Sequence, residues 1–177
     1  MDIPVYLVVG FLDGGKTNFI NGILEDGFAK KDRTLLLRCE EGDEEYNEKF
    51  LKNVTVVPVE DQEALTCSFL KECEKKYRPR QVLIEYNGMW PLTPLYENVL
   101  PANWVLYQIM CFVEGNSFDL YARNMGQLMM EKITQADLIV FNRCSPETRD
   151  ALRKRNLRMV NRRADIYLEM EDGTSED

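Results

Sequence analysis

Residues 10–17 read Gly-Phe-Leu-Asp-Gly-Gly-Lys-Thr, a match to G-x-x-x-x-G-K-[ST]. Their setting gives the match its weight. Before them, residues 5–9 are Val-Tyr-Leu-Val-Val, an apolar run of β-branched and aromatic types that reads as a buried strand. After them, Phe19, Ile20, Ile23 and Leu24 recur at helical spacing. A strand, a glycine-rich turn and a helix start therefore follow in order, the context in which this motif binds phosphate. Glycines let the main chain curl so that successive N–H groups face inward as an anion nest, and the helix N-terminus adds positive partial charge. Lys16 is expected to reach the β and γ phosphates, and the Thr17 hydroxyl to ligate Mg²⁺. Gly10, Asp13, Gly14, Gly15 and Asn18 complete the residues expected around the phosphate chain. Of these, Asp13 must turn its carboxylate to solvent to avoid repelling phosphate.

Downstream, apolar runs alternate with amphipathic stretches. Strands are expected over 34–37, 54–59, 82–84, 105–113 and 138–141, and a last one near 157–160 or 166–168. Between them, helices are expected near 46–51, over 61–77, near 95–99, over a long span from 118 to 133 capped by Asn116 or Ser117, and from Ser145-Pro146 to about 155. The methionines of the 118–133 helix read as core filler. This alternation predicts an α/β fold, a three-layer sandwich of the P-loop NTPase kind with a mostly parallel central sheet.

The chain has 177 residues, 45% hydrophobic and 29% charged, which suits one globular domain at 1–168. Net charge is −8, which argues against a nucleic-acid partner. Part of that charge is local: residues 169–177 hold five acids and no base, and are expected to form a disordered, solubilising tail. MDIPVY runs straight into the first strand, so no secretion signal is expected, and no apolar run approaches the ~20 residues of a membrane helix. Five cysteines lack C-x-x-C spacing, pointing to free thiols in a reducing cytoplasm. There is no histidine, so a general base must be a carboxylate or water, and a transition metal would need thiolates and carboxylates.

Ligands of such sheets bind at the carboxyl ends of strands. Four segments place marked residues there: the phosphate loop, the acidic run 40–43, Glu85 and Asn142. Glu85 can accept from a Mg²⁺-bound or attacking water, which makes Lys16 and Glu85 the candidate catalytic pair. Gly88 can offer its N–H to the γ-phosphate, and Asn142 can hydrogen-bond a base. Acids crowded beside a phosphate site make sense when a metal enters.

In order along the chain, these segments resemble the CobW-like GTPases. The family's loop, roughly GFLGAGKTTLLN, is similar to GFLDGGKTNFIN here. Its N-E-F-G-E switch resembles residues 39–43, its E-T-x-G-L-x-x-P resembles residues 85–91 with the proline one place early, and its A-D-x-x-x-x-N-K-x-D resembles residues 136–145. The later N-x-x-A resembles Asn161 to Ala164. The resemblance implies GTP with Mg²⁺, nucleotide-gated switches, and metal handling or insertion. By position it puts Glu40 and Asp43 in the first switch, Glu85 and Gly88 in the second, and Asn142 and Arg143 at the base. Two departures stand out. The guanine motif carries Arg143 for Lys and Ser145 for Asp, which admits ATP or loose specificity. Of the family's C-x-C-C metal motif only Cys67 remains, so Zn²⁺ would be held weakly, by Cys67 with Asp43 or Glu40.

The reading is thus a CobW-like domain that binds a nucleoside triphosphate, with GTP first, and hydrolyses it slowly, with a role in metal handling or in switching a homodimer or separate effector. The alternative is a degenerate, non-hydrolysing nucleotide sensor.

Overall fold

The computed structural model describes residues 1–177 apart from 12–14, 41 and 43. Eight strands form one sheet in the order β3-β2-β4-β1-β5-β6-β7-β8. They are β1 (Ile3–Gly10), β2 (Thr34–Arg38), β3 (Val54–Pro58), β4 (Gln81–Glu85), β5 (Trp104–Glu114), β6 (Leu138–Cys144), β7 (Asp165–Met170) and β8 (Ser175–Glu176). The first seven pair in parallel; β8 returns antiparallel to β7. The α/β fold with a mostly parallel sheet is as the alternation predicts.

Helices cover both faces: α1 (Lys16–Glu25), α2 (Cys67–Tyr77), α3 (Phe118–Asn124), α4 (Gly126–Gln135) and α5 (Pro146–Lys154). Successive β1 side chains point to opposite faces, so Val5, Leu7 and Val9 join one core while Val8 joins the other with Ile20 and Leu24 of α1. With β4 on one side and β5 on the other, β1 is central. The loop that leaves its carboxyl end therefore starts from a rigid platform.

Several expected elements differ in detail. The helix expected over 61–77 begins only at Cys67, because the Thr66 side chain accepts the Phe69 N–H at 3.1 Å and fixes the start there; residues Gln62–Ala64 form a separate 3₁₀ turn. The amphipathic stretch near 46–51 is one 3₁₀ turn, Glu48–Phe50, capped by Asn47. The long helix from 118 breaks into α3 and α4 at Met125, whose φ of −136° is not helical, next to a glycine that resists helix. Neither expected cap serves α3. Ser117 donates to the Glu114 carboxylate, and the Asn116 amide donates to Arg143 O at 2.9 Å. Of the two sites offered for the last parallel strand, 166–168 is the strand; Leu157–Met159 is a 3₁₀ turn.

Residues 169–177, expected to form a tail, carry local hydrogen bonds and ion pairs. Asp172 accepts from Thr174 N at 2.9 Å, Gly173 takes a φ of 87°, and β8 folds back on β7. Glu176 then accepts from Arg149 at 3.3 Å and from Arg153 at 2.6 Å. Charge counted along the chain treats these acids as unpartnered, whereas the fold brings the basic face of α5 beside them.

Asn161 shows why an N-x-x-A pattern belongs here. Its amide donates to Ile133 O at 2.8 Å and Ala136 O at 2.7 Å, closing the end of α4, while its Oδ1 accepts from Arg163 N and Ala164 N, each at 3.0 Å. Ala164 is fully buried beneath this turn. Asn161→Ala strands several buried polar groups, so unfolding in urea should show a loss of about 2–4 kcal/mol. A loss under about 0.5 kcal/mol, the range of ordinary surface changes, would show that water replaces the amide at no cost.

Candidate functional site

The site is built at the carboxyl ends of β1, β2, β4 and β6. Lys16 opens α1 and is 4% exposed. Its ammonium curls back to donate to Gly10 O at 2.7 Å, closing the loop between strand and helix. Gly15, just before it, has a φ of 89°, and a Cβ there would lie 2.5 Å from the Asn142 amide nitrogen. The phosphate loop and the end of β6 thus touch through a glycine. Asp13 and Gly14, both expected at the phosphates, lie outside the described residues, as does Asp43.

Behind Lys16, the Thr17 hydroxyl donates to Glu85 Oε1 at 2.7 Å, and Glu85 is 3% exposed. The other Glu85 oxygen accepts from the Tyr46 hydroxyl. Burial first, then the Glu85 charge, push the Tyr46 pKa far up, so this phenol stays a donor. Burial also raises the neighbouring Cys39 thiol to about 12, with Glu85 and Glu40 adding to the effect. Cys39 is therefore a neutral core residue rather than a thiolate.

Glu40 and Gly88 meet at Lys16. Glu40 Oε2 forms an ion pair with the Lys16 ammonium and accepts the Gly88 N–H at 3.4 Å. Gly88 leaves no space for a side chain: a Cβ would press on the Gly10 carbonyl and lie 2.9 Å from Phe11 Cα. The two expected switches are therefore joined to the phosphate loop and to each other.

Three residues of this arrangement were not legible as functional. Arg38 binds the 40–46 segment from below: it donates to Glu40 O at 3.3 Å, to Glu44 O at 2.9 Å and to the Glu45 carboxylate at 2.9 Å, and stacks over the Tyr46 ring at 5.1 Å. Tyr46 reads in sequence as one apolar position of a short helix, yet carries the bond to Glu85. Lys132, within the stretch expected as the 118–133 helix, is fully buried; it donates to Trp90 O at 3.3 Å and lies 5.7 Å from the Phe11 ring centroid, and burial lowers its pKa. Beside it, Glu131 accepts the Leu92 N–H, so α4 holds the segment that follows the second switch. The lone signal in sequence is an adjacent Glu-Lys pair in an otherwise methionine-rich stretch.

The remaining expected residues are placed as follows. Asn18 is exposed and donates to Glu44 at 3.0 Å, tying α1 to the segment that covers it. Asn142 is buried against Gly15. Arg143 is exposed with a φ of 51°, and Ser145 caps α5, accepting Thr148 N at 3.1 Å. Cys67 is the first residue of α2. Among the described residues, no group of three Cys, Asp or Glu side chains could hold a metal ion, and no helix is long and apolar enough to cross a membrane.

Lys16 and Thr17 at the start of α1, Glu85 at the end of β4 and Asn142 in β6 thus lie at the carboxyl ends of one mostly parallel sheet. The model of the CobW/HypB/UreG nucleotide-binding domain matches residues 4–167, and the chain belongs to that family. No curated protein matches it. Among solved structures it is similar to the Zn(II)-bound YjiA GTPase from E. coli, at 20% identity and a TM-score of 0.65, over 94% of this chain and 57% of that one. A Zn(II)-bound triple mutant of YjiA gives 21% identity and a TM-score of 0.67, over 95% and 57%. Hydrogenase maturation factor HypB from Archaeoglobus fulgidus gives 15% identity and a TM-score of 0.59, over 94% and 80%. These likenesses establish the fold. The chain spans little more than half the length of YjiA.

Proposed function

We propose that this chain binds a purine nucleoside triphosphate with Mg²⁺, GTP first, hydrolyses it slowly, and uses the change from triphosphate to diphosphate to switch a partner, either a second copy or a separate effector. The observation that carries this is the convergence of the Lys16 ammonium and the Gly88 N–H on one anionic oxygen. A cation from the phosphate loop and a main-chain donor from the second switch, aimed at one point, are what a terminal phosphate requires.

The Mg²⁺ position is supported by the Thr17–Glu85 pair. The Thr17 hydroxyl spends its proton on Glu85, so its lone pairs are available to a cation, and Glu85 can accept from metal-bound water. When bound, Mg²⁺ neutralises charge on the phosphate oxygens. Lys16 binds and orients the transferring group, and Glu85 positions water. At the base, Ser145 is committed to its helix cap and offers no carboxylate to a guanine edge, which supports loose discrimination between GTP and ATP. A metal-carrying role would draw Glu40 toward Cys67, whereas Glu40 is engaged with Lys16. Nucleotide switching is therefore the better reading.

A second reading, a sensor that does not turn over, is favoured by one observation: both Glu85 oxygens are already engaged, by Thr17 and Tyr46. Single-turnover assays with γ-labelled GTP and ATP separate the two. Slow, Mg²⁺-dependent phosphate release supports hydrolysis; binding without release selects the sensor; neither binding nor release overturns both.

A further inference from the structure

The ion pair at Lys16 involves an acid of the protein's own first switch. Glu40 Oε2 accepts from both Lys16 Nζ and Gly88 N–H, the donors assigned above to the terminal phosphate. Its side chain is 11% exposed, so it lies within the site rather than over it. The segment behind it is held at many points. Arg38 binds it at Glu40 O, Glu44 O and the Glu45 carboxylate. Asn18 of α1 donates to Glu44 at 3.0 Å, and Asn21 donates to Glu45 O at 3.0 Å and accepts Asn47 N at 2.9 Å. Tyr46 anchors its far end on Glu85. Glu40 is thus presented to Lys16 beside residues fixed on Arg38, α1 and Glu85.

We propose that Glu40 is an internal stand-in for the γ-phosphate and the residue that sets the site's preference between nucleoside diphosphate and triphosphate. This deepens the nucleotide reading above and rests on it. A diphosphate leaves the terminal position empty, so Glu40 can keep Lys16 and Gly88 paired while the diphosphate binds. A triphosphate brings negative charge to the position that the Glu40 carboxylate occupies. Two anions cannot share one ammonium and one N–H at contact distance, so Glu40 must leave. Its departure breaks the Lys16 and Gly88 contacts of the first switch. Discrimination therefore comes from a repulsive element built against the triphosphate, and the same displacement reports which nucleotide is bound.

The test is calorimetric titration of the full chain with Mg²⁺ and, in separate runs, GDP, GTPγS, ADP and ATPγS. It is run on the parent protein and on Glu40→Gln, Glu40→Asp and Glu48→Gln. Glu40→Gln removes the competing charge and is expected to raise triphosphate-analogue affinity about tenfold or more while diphosphate affinity stays within about twofold. Glu40→Asp keeps the charge but is one methylene too short to reach Lys16, and is expected to shift the ratio in the same direction. Glu48→Gln removes an exposed acid of the same region and should leave the ratio unchanged. If the parent binds nucleotide and Glu40→Gln leaves the ratio within about twofold, or if Glu48→Gln shifts it equally, the proposal falls while the nucleotide reading stands. If no variant binds any of the four nucleotides, both fall.

Discussion

Lys16→Ala is expected to weaken Mg²⁺-supported binding of GTPγS by about a hundredfold, measured by displacement of a fluorescent GTP analogue, because a charge-assisted hydrogen bond of this kind contributes about 3 kcal/mol. The expectation rests on how Lys16 is held. Its stem is buried, its ammonium is fixed on Gly10 O at 2.7 Å, and its remaining protons face the point where Glu40 and Gly88 converge. No other described cation donates to that point. The fold should survive the change, since the Glu40 carboxylate keeps the Gly88 N–H as a partner. A variant that binds GTPγS as the parent does would remove Lys16 from the nucleotide site.

Gly88→Ala should have the second largest effect. Its Cβ would meet main-chain atoms, the Gly10 carbonyl and Phe11 Cα, rather than a flexible side chain that could move aside. Either the second switch or the phosphate loop must shift. Overpacking of this kind costs about 1–3 kcal/mol. For a chain of this size it should appear as a fall of roughly 3–10 °C in melting temperature. The shift also withdraws the Gly88 N–H from the terminal-phosphate position, so triphosphate affinity should fall about tenfold, as for loss of one hydrogen bond to a charged group. A melt and a binding curve both matching the parent would show that the two segments do not touch.

The sheet and the strand-to-helix junction at Gly15 and Lys16 were legible for a common reason. A buried central strand has no choice but to be apolar on both faces, and a phosphate nest has no choice but to use glycine beside lysine. Local chemistry dictates both. What sequence could not show is where charges meet. Glu40 reads as one acid in a row of acids and so as a metal ligand, because the row suggests an incoming cation; the fold instead supplies the cation from Lys16, 24 positions earlier. Lys132 goes unmarked in the sequence because helical periodicity gives only the angle around the axis, not what packs there. Tyr46 hides its hydroxyl in an amphipathic pattern that counts it as apolar. The tail reads as disordered because the partners of Glu176, Arg149 and Arg153, belong to α5.

The central claim is that the segment between β1 and α1, with Lys16, grips a nucleoside triphosphate. Calorimetric titration of the parent protein with Mg²⁺ and GTPγS, with ATPγS in parallel, tests it most directly. The predicted result is saturable binding of one nucleotide per chain that disappears when Mg²⁺ is chelated or weakens sharply in Lys16→Ala. Absence of binding heat for both analogues, with no rise in melting temperature at millimolar nucleotide, would contradict it.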